Sequence, residues 1–219
     1  MRRDLRLLLA FQGLHTAFFI MPVIVVFWQR GGLDLTQVML LQAFFSLATI
    51  ALEVPTGYVA DVLGRKRSLV AGCAVSFAGM TAYAVGTGFW TFLAAELVLA
   101  LGLSLVSGTD TALLYDALRA EGRSADFTRI QGRFFFTSQV SQAGASVLGG
   151  FLGDWHLRIP FYATAAAMLG ALVCVSLVRE PPRERTLSRT DHRGNLRTVW
   201  RSMLRDRAVV ARTVVLTAL

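Results

Sequence analysis

Charge is scarce in this sequence: only 16% of its 219 residues are Asp, Glu, Lys or Arg, whereas soluble domains carry about 25%. The deficit is concentrated in segments that hold no charged residue at all, namely 7–29, 35–52, 68–95, 97–109, 134–153 and 159–178. A helix that crosses a bilayer needs roughly 20 apolar residues. Together with a mean hydropathy of +0.54, these segments predict an integral membrane protein and argue against a soluble domain.

Cysteine and several chemical motifs are rare or absent as well. Cys73 and Cys174 both fall inside apolar segments, which indicates small core residues and not a disulfide. The three histidines are far apart in the sequence, so no metal cluster is predicted. The sequence has neither a G-x-x-x-x-G-K phosphate loop nor a G-x-S-x-G motif. We therefore expect neither an enzyme nor a cofactor.

The uncharged segments predict six membrane helices, with Gly86-Thr87-Gly88 dividing the longest of them. After residue 178 the chain becomes basic, and apolar residues at helical spacing between Leu196 and Leu204 indicate an amphipathic helix on the membrane surface. Apolar residues resume at 208–219. We expect a bundle over 1–178, a central loop over 179–207 and the truncated start of a seventh helix over 208–219. The predicted spans are 7–28, 36–59, 67–86, 89–112, 134–153 and 159–178.

The cations are distributed unevenly between the two sides of this arrangement. With the N-terminus inside, 19 of the 22 basic residues fall in the cytoplasmic segments, and Arg30, Arg158 and Arg212 do not. This asymmetry follows the positive-inside rule. It predicts a multi-pass protein of the plasma (inner) membrane with the N-terminus and the central loop in the cytoplasm. The net charge of +8 is thereby explained without a nucleic-acid partner.

The loop after the second predicted helix carries a recognisable motif. Gly57, Asp61 and Gly64 are followed by Arg65-Lys66-Arg67, which resembles the G-x-x-x-D-R/K-x-G-R-R/K signature of the major facilitator superfamily (MFS). Val62 stands where the family usually has a cation. The resemblance covers the whole chain as an N-terminal half. It implies an all-α membrane fold of six helices in two inverted three-helix repeats, completed by a C-terminal half of the same protein.

Two further family motifs differ here. In the fourth helix, Glu96 occupies the place of a usual arginine. In the fifth helix, Ser141, Ala145 and Ser146 replace two glycines and a proline of the exporter motif, and only Gly149-Gly150 remain.

The resemblance implies a cytoplasmic gate. It assigns to the gate Gly57, Asp61, Gly64 and the cations Arg65, Lys66 and Arg67, paired with carboxylates at the inner end of helix four. Asp110 and Asp116 are the candidate carboxylates. The alternative is a solvated turn whose cations only set the topology.

Three residues are candidates for proton coupling. Glu53 lies in a polar stripe of the second helix that also holds Gln42, Ser46, Thr49 and Thr56; such a stripe faces protein or water. Glu96 is a second acid within an apolar segment, and His15 has a side chain that titrates near neutral pH. For Glu53 the alternative is a permanently paired or protonated acid that bonds within its helix. Glu96 could instead bind a cationic substrate or form a structural hydrogen bond to a neighbouring helix, and His15 could be a packing residue.

Polar residues of several helices are candidates for a central substrate cavity, where the family binds its substrate. They are Gln12, Gln42, Ser46, Thr49, Ser104, Ser138 and Gln142. The sequence therefore predicts a secondary active transporter that moves a small solute or drug by alternating access, with protons as the energy source. A membrane receptor or assembly factor built on the same bundle is the alternative.

Overall fold

The computed structural model describes residues 2–180, and the predicted loop and seventh helix lie outside them. Within this range the protein consists of helices, with no strand. Four helical segments are long and apolar enough to cross a membrane: Leu35–Leu63, Arg65–Val85, Phe89–Ala120 and Ile159–Leu177. The eight α-helices of the described residues are, in chain order, α1 (Arg2–His15), α2 (Ile24–Arg30), α3 (Leu35–Leu63), α4 (Arg65–Val85), α5 (Phe89–Val106), α6 (Thr109–Ala120), α7 (Phe127–Trp155) and α8 (Ile159–Leu177), and a short 3-10 helix (Ser124–Asp126) precedes α7.

The first predicted span is not one helix. The expectation of a continuous helix over 7–28 was wrong, because α1 ends at His15 and α2 begins only at Ile24. Pro22 lies in the connection, where it lacks the N–H that a continuing helix would need. The backbone N–H of Phe19 instead donates to Thr164 Oγ1 on α8 at 3.1 Å.

The connection between α1 and α2 packs closely on α7. A Cβ added to Gly149 would overlap the carbonyl of Phe19, and one added to Gly153 would overlap the side chain of Val23. A Cβ on Gly150, by contrast, would meet nothing within 4 Å. Gly149 and Gly153 are four residues apart and so lie on one face of the helix. The non-helical backbone between α1 and α2 packs against that face of α7.

α4 lies in the middle of the bundle and packs against both α5 and α8, while α3 packs on α5, and α1 packs on α8 and α7. Small residues bring α4 and α5 together: a Cβ on Gly79 would lie 2.9 Å from the Leu99 side chain. Close approach of this kind stabilises membrane helices, since burial from lipid supplies no hydrophobic drive. α3 and α7 are the least covered, with Leu47 64% exposed and Phe151 68% exposed.

Candidate functional site

The turn between α3 and α4 forms the first candidate site. Gly64 ends α3 and begins α4 with φ 110° and ψ 141°, a conformation that is essentially restricted to glycine. The turn places Arg65 at the first position of α4. Its Nη1 donates to the carbonyl of Ala112 at 2.8 Å and lies 2.6 Å from Asp116 Oδ2. One guanidinium therefore joins the start of α4 to α6.

The other residues of the predicted gate are not joined to this contact. Asp61 and Arg67 are exposed, and within residues 2–180 neither their side chains nor that of Lys66 has an ion-pair or hydrogen-bond partner. Gly57 lies on an exposed face of α3, where an added Cβ would meet nothing. Asp110 Oδ1 accepts the backbone N–H of Thr111 at 2.6 Å near the start of α6. Of the two candidate carboxylates, only Asp116 lies against a loop cation.

The polar stripe of α3 is divided between two environments. Thr56 Oγ1 donates to the carbonyl of Ser104 on α5 at 3.0 Å, and Ser104 Oγ donates to the carbonyl of Thr49 at 3.4 Å. These three residues hold α3 against α5. The rest of the stripe is exposed and consists of Gln42, Ser46 and Glu53.

A second set of polar contacts joins α1 to α7. Gln12 Nε2 donates to Ser138 Oγ at 2.7 Å, and Ser141 Oγ donates to the carbonyl of Gly13. Gln12 Oε1 is buried and has no hydrogen-bond partner among the described residues. Gln142 is exposed. Some of the predicted cavity residues therefore form hydrogen bonds between helices, and the others are exposed.

His15 and Glu96 are both buried in the bundle. His15 stacks on Phe11 with ring centroids 5.5 Å apart, and its Nε2 has no partner within the described range. Glu96 Oε1 accepts a hydrogen bond from Tyr83 Oη of α4 at 2.7 Å. Glu96 therefore makes the structural hydrogen bond to a neighbouring helix that was the alternative to a role in proton coupling.

Sequence reasoning missed the contacts of Arg158, which precedes α8. Its Nη1 donates to the carbonyl of Ala84 at 2.7 Å and its Nη2 to that of Gly86 at 3.3 Å, both at the end of α4. The guanidinium also lies 6.0 Å from the centre of the Phe27 ring. Arg158 borders a cleft of about 310 Å³ that Phe27 and Phe92 also line. The only signal in the sequence was a cation outside the cytoplasmic segments.

The two ends of the bundle are called the Arg65 end and the Arg158 end after these arginines.

No group of three or more His, Cys, Asp or Glu side chains in the described part of the chain is arranged to hold a metal ion.

These features define the class of protein: a helical membrane bundle with polar contacts between its helices, one polar helix face left open and an arginine bonded to backbone carbonyls at each end. The sequence profile of the Major Facilitator Superfamily matches residues 7–219. The chain belongs to this family of membrane transporters and corresponds to an N-terminal half.

Two kinds of relative are similar over part of the chain. "Quinolone resistance protein NorA" of Staphylococcus aureus (strain MRSA252) is 25% identical over 171 residues, which cover 76% of this chain and 42% of the relative. "Multidrug resistance protein MdtH" of Edwardsiella ictaluri (strain 93-146) is 28% identical over 141 residues, covering 58% of this chain and 33% of the relative. The chain thus spans less than half the length of the relatives it matches.

Proposed function

We propose that this chain is the N-terminal half of a proton-coupled secondary transporter that moves a small, drug-like solute out of the cell by alternating access. The observation that carries the proposal is the open polar face of α3. Gln42, Ser46 and Glu53 are exposed on one face of α3, and the other exposed residues between Met39 and Ala51 are apolar. A carboxylate and an amide at such a depth are costly against lipid, so protein or water covers them. A second half of the protein, with a cavity between the halves, supplies both.

The topology of the proposal follows from the cations. The Arg65 end faces the cytoplasm, because three consecutive basic residues begin α4 there. The six predicted spans form two inverted three-helix repeats, with α1 and α2 together serving as the first span. The link from Arg65 to Ala112 and Asp116 fixes α4 to α6 when the cytoplasmic side is closed, and the remaining motif residues meet the second half.

The direction of transport rests on the relatives, whose names describe quinolone and multidrug resistance. Efflux of a planar, partly charged drug suits a cavity with a few polar groups among apolar ones. Glu53 is the proposed coupling acid of this cavity, since it is exposed on the open face.

The test is flux through the full-length protein in liposomes under an imposed pH gradient, with a fluorescent quinolone as the probe. We expect quinolone movement to follow the gradient and to be abolished by a protonophore. Glu53→Gln is expected to lower gradient-driven movement at least tenfold, whereas Arg6→Gln, which removes an exposed cation outside the gate motif, should not. A full-length protein that binds the probe without net flux would favour a receptor.

A further inference from the structure

A buried polar cluster lies where α2, α4 and α5 meet. It consists of Glu96, Tyr83 and Trp28, whose exposed fractions are 5%, 0% and 0%. Phe27, Phe92 and Phe161 surround it in one apolar core. Tyr83 Oη donates to Glu96 Oε1 at 2.7 Å, and the Trp28 and Tyr83 ring centroids are 6.4 Å apart. The cluster is separate from the Arg65 turn and from the open face of α3.

The acid of this cluster has no compensating charge. Within residues 2–180 no cation forms an ion pair with Glu96. A carboxylate taken out of water is costly unless it is paired and its lone pairs accept hydrogen bonds. A single neutral donor, the Tyr83 hydroxyl, does not meet that condition. The neutral acid is therefore the form that this surrounding stabilises.

The cluster also contains an unused donor. Trp28 Nε1 is buried, faces the Tyr83 hydroxyl and forms no hydrogen bond of normal geometry among the described residues, and such a buried N–H is unfavourable. An ionised carboxylate has room for several donors on its two oxygens. The cluster thus contains the Glu96 acid, the Tyr83 hydroxyl that donates to it, and the Trp28 N–H, which does not.

An aromatic layer separates this acid from the cleft at the Arg158 end. Phe27 and Phe92 line that cleft, their ring centroids are 5.4 Å apart, and Phe92 stacks on Tyr83 at 5.4 Å with an interplanar angle of 13°. Phe92 and Glu96 are four residues apart on α5, so the acid lies one helical turn beyond the ring. Water in the cleft is therefore one aromatic side chain away from the carboxyl group.

The charged groups on the elements around Glu96 form no hydrogen bond or ion pair with it within residues 2–180. α5 packs against α3, α4 and α6, and α2 contributes Trp28. Tyr83 is the titratable group that touches the acid. The other charged groups on these elements or at the cleft are exposed, at a terminus or already bonded: Arg30, Asp34, Glu53, Asp61, Arg65, Lys66, Arg67, Asp110, Asp116, Arg119, Asp154, His156 and Arg158.

We propose that Glu96 is a proton-binding site that exchanges with the cleft at the Arg158 end, and that loss of its proton recruits Trp28 as a second donor. In this step water from the cleft reaches the acid past the Phe92 ring, the O–H bond of the Glu96 carboxyl breaks, and the proton passes to that water molecule. The carboxylate left behind is held by the Tyr83 hydroxyl and the Trp28 N–H. α2 is thereby drawn toward α4 and α5, so that proton release tightens the Arg158 end.

Its use in transport rests on the proposed function, but the binding site can be tested without any substrate. The full-length protein is labelled with 5-fluorotryptophan and placed in lipid nanodiscs, and its fluorine NMR spectrum is followed from about pH 5 to about pH 9. Trp28→Phe identifies the Trp28 signal. Trp90, which is 78% exposed, supplies an internal reference.

The Trp28 signal should shift in one titration step, and Glu96→Gln should abolish that shift. The glutamine carbonyl still accepts from Tyr83, so the variant keeps the packing of the cluster. The matched control Glu53→Gln should leave the shift unchanged. A Trp28 signal that does not move, or that moves equally in Glu96→Gln, overturns the proposal.

A second readout follows the acid itself. The infrared carbonyl band of a neutral carboxylic acid should disappear as the pH rises in the parent protein and be missing in Glu96→Gln. Persistence of the same band in Glu96→Gln contradicts the assignment. A Trp28 signal that titrates in a protein without quinolone flux would contradict the proposed transport function and support the proton site. Proton-driven flux without a response of the Trp28 signal would support the transport function and contradict the proton site.

Discussion

At the scale of single residues, the two neighbours Gly64 and Arg65 are required for different reasons, the first for the backbone conformation of the turn and the second for its contacts. Gly64 is fixed by its backbone angles, and Arg65 by a carbonyl and a carboxylate of α6. Gly57, Lys66 and Arg67 belong to the same sequence motif but make no comparable contact within the described residues. Their proposed role depends on the second half of the protein.

Replacement of Arg65 tests the clamp. Arg65→Gln removes an ion pair whose side chains are each 34% exposed and a hydrogen bond to a carbonyl, so we expect the free energy of unfolding to fall by about 1 kcal/mol. Arg67→Gln, two positions on, removes an exposed charge and should leave the free energy of unfolding within about 0.5 kcal/mol of the parent value. Chemical denaturation of the full-length protein in detergent measures both. If both variants lower the free energy of unfolding equally, the contacts of Arg65 with α6 contribute nothing beyond the removal of a positive charge.

Replacement of Gly64 tests the turn. Gly64→Ala forces a side chain into a conformation that costs on the order of 1–3 kcal/mol, and the thermal midpoint should fall accordingly. Gly57→Ala, in open space on a helix, should be neutral or stabilising by up to about 1 kcal/mol. Differential scanning fluorimetry compares the two. A tolerated Gly64→Ala would mean that the turn adopts another backbone path.

At the scale of helices, the interrupted first span is the feature that the sequence predicted least well. The segment 7–29 is uniformly apolar, and Pro22 alone did not reveal where α1 would stop. The break depends on Gly149 and Gly153, more than 120 residues away, because they make space for the irregular backbone. The retained Gly149-Gly150 pair was visible in the sequence, but its partner was not.

The two adjacent glycines of α7 provide a matched comparison. Gly149→Ala places a methyl group against the carbonyl of Phe19, so we expect a loss of about 1–3 kcal/mol of stability from overpacking. Gly150→Ala faces open space and should be neutral or slightly stabilising. Thermal unfolding of the two full-length variants in nanodiscs decides the matter. If Gly149→Ala unfolds at the parent temperature, the connection between α1 and α2 does not pack on α7 as described.

Apart from the first span and the break between α5 and α6 inside the predicted span 89–112, the charge-free segments predicted the helices and their approximate positions, because each span must satisfy its own backbone within the membrane. They did not predict which polar residues meet. Glu96 with Tyr83, Gln12 with Ser138 and Arg158 with the end of α4 are contacts between helices. Sequence spacing along one helix carries no information about them.

At the scale of the whole molecule, the described helices form a bundle whose polar contacts mostly lie between helices, while α3 and α7 remain open. In the proposed transporter these open faces meet the second half of the protein. In this proposal the cavity between the halves opens alternately to each side, and Ser46 on α3 lies in it. The proposed topology places the Arg65 end in the cytoplasm and the Arg158 end outside.

The most direct measurement of this claim is labelling of Ser46→Cys in the full-length protein, with Cys73 and Cys174 replaced by alanine. A membrane-impermeant maleimide is applied from either side of sealed vesicles. Arg67→Cys and Trp155→Cys, exposed at opposite ends of the bundle, report the cytoplasmic and the outer side. The account predicts that Ser46→Cys reacts from both sides, with the ratio changed by a pH gradient, while each control reacts from its own side only. Labelling of Ser46→Cys from one side only, whatever the gradient, would contradict alternating access.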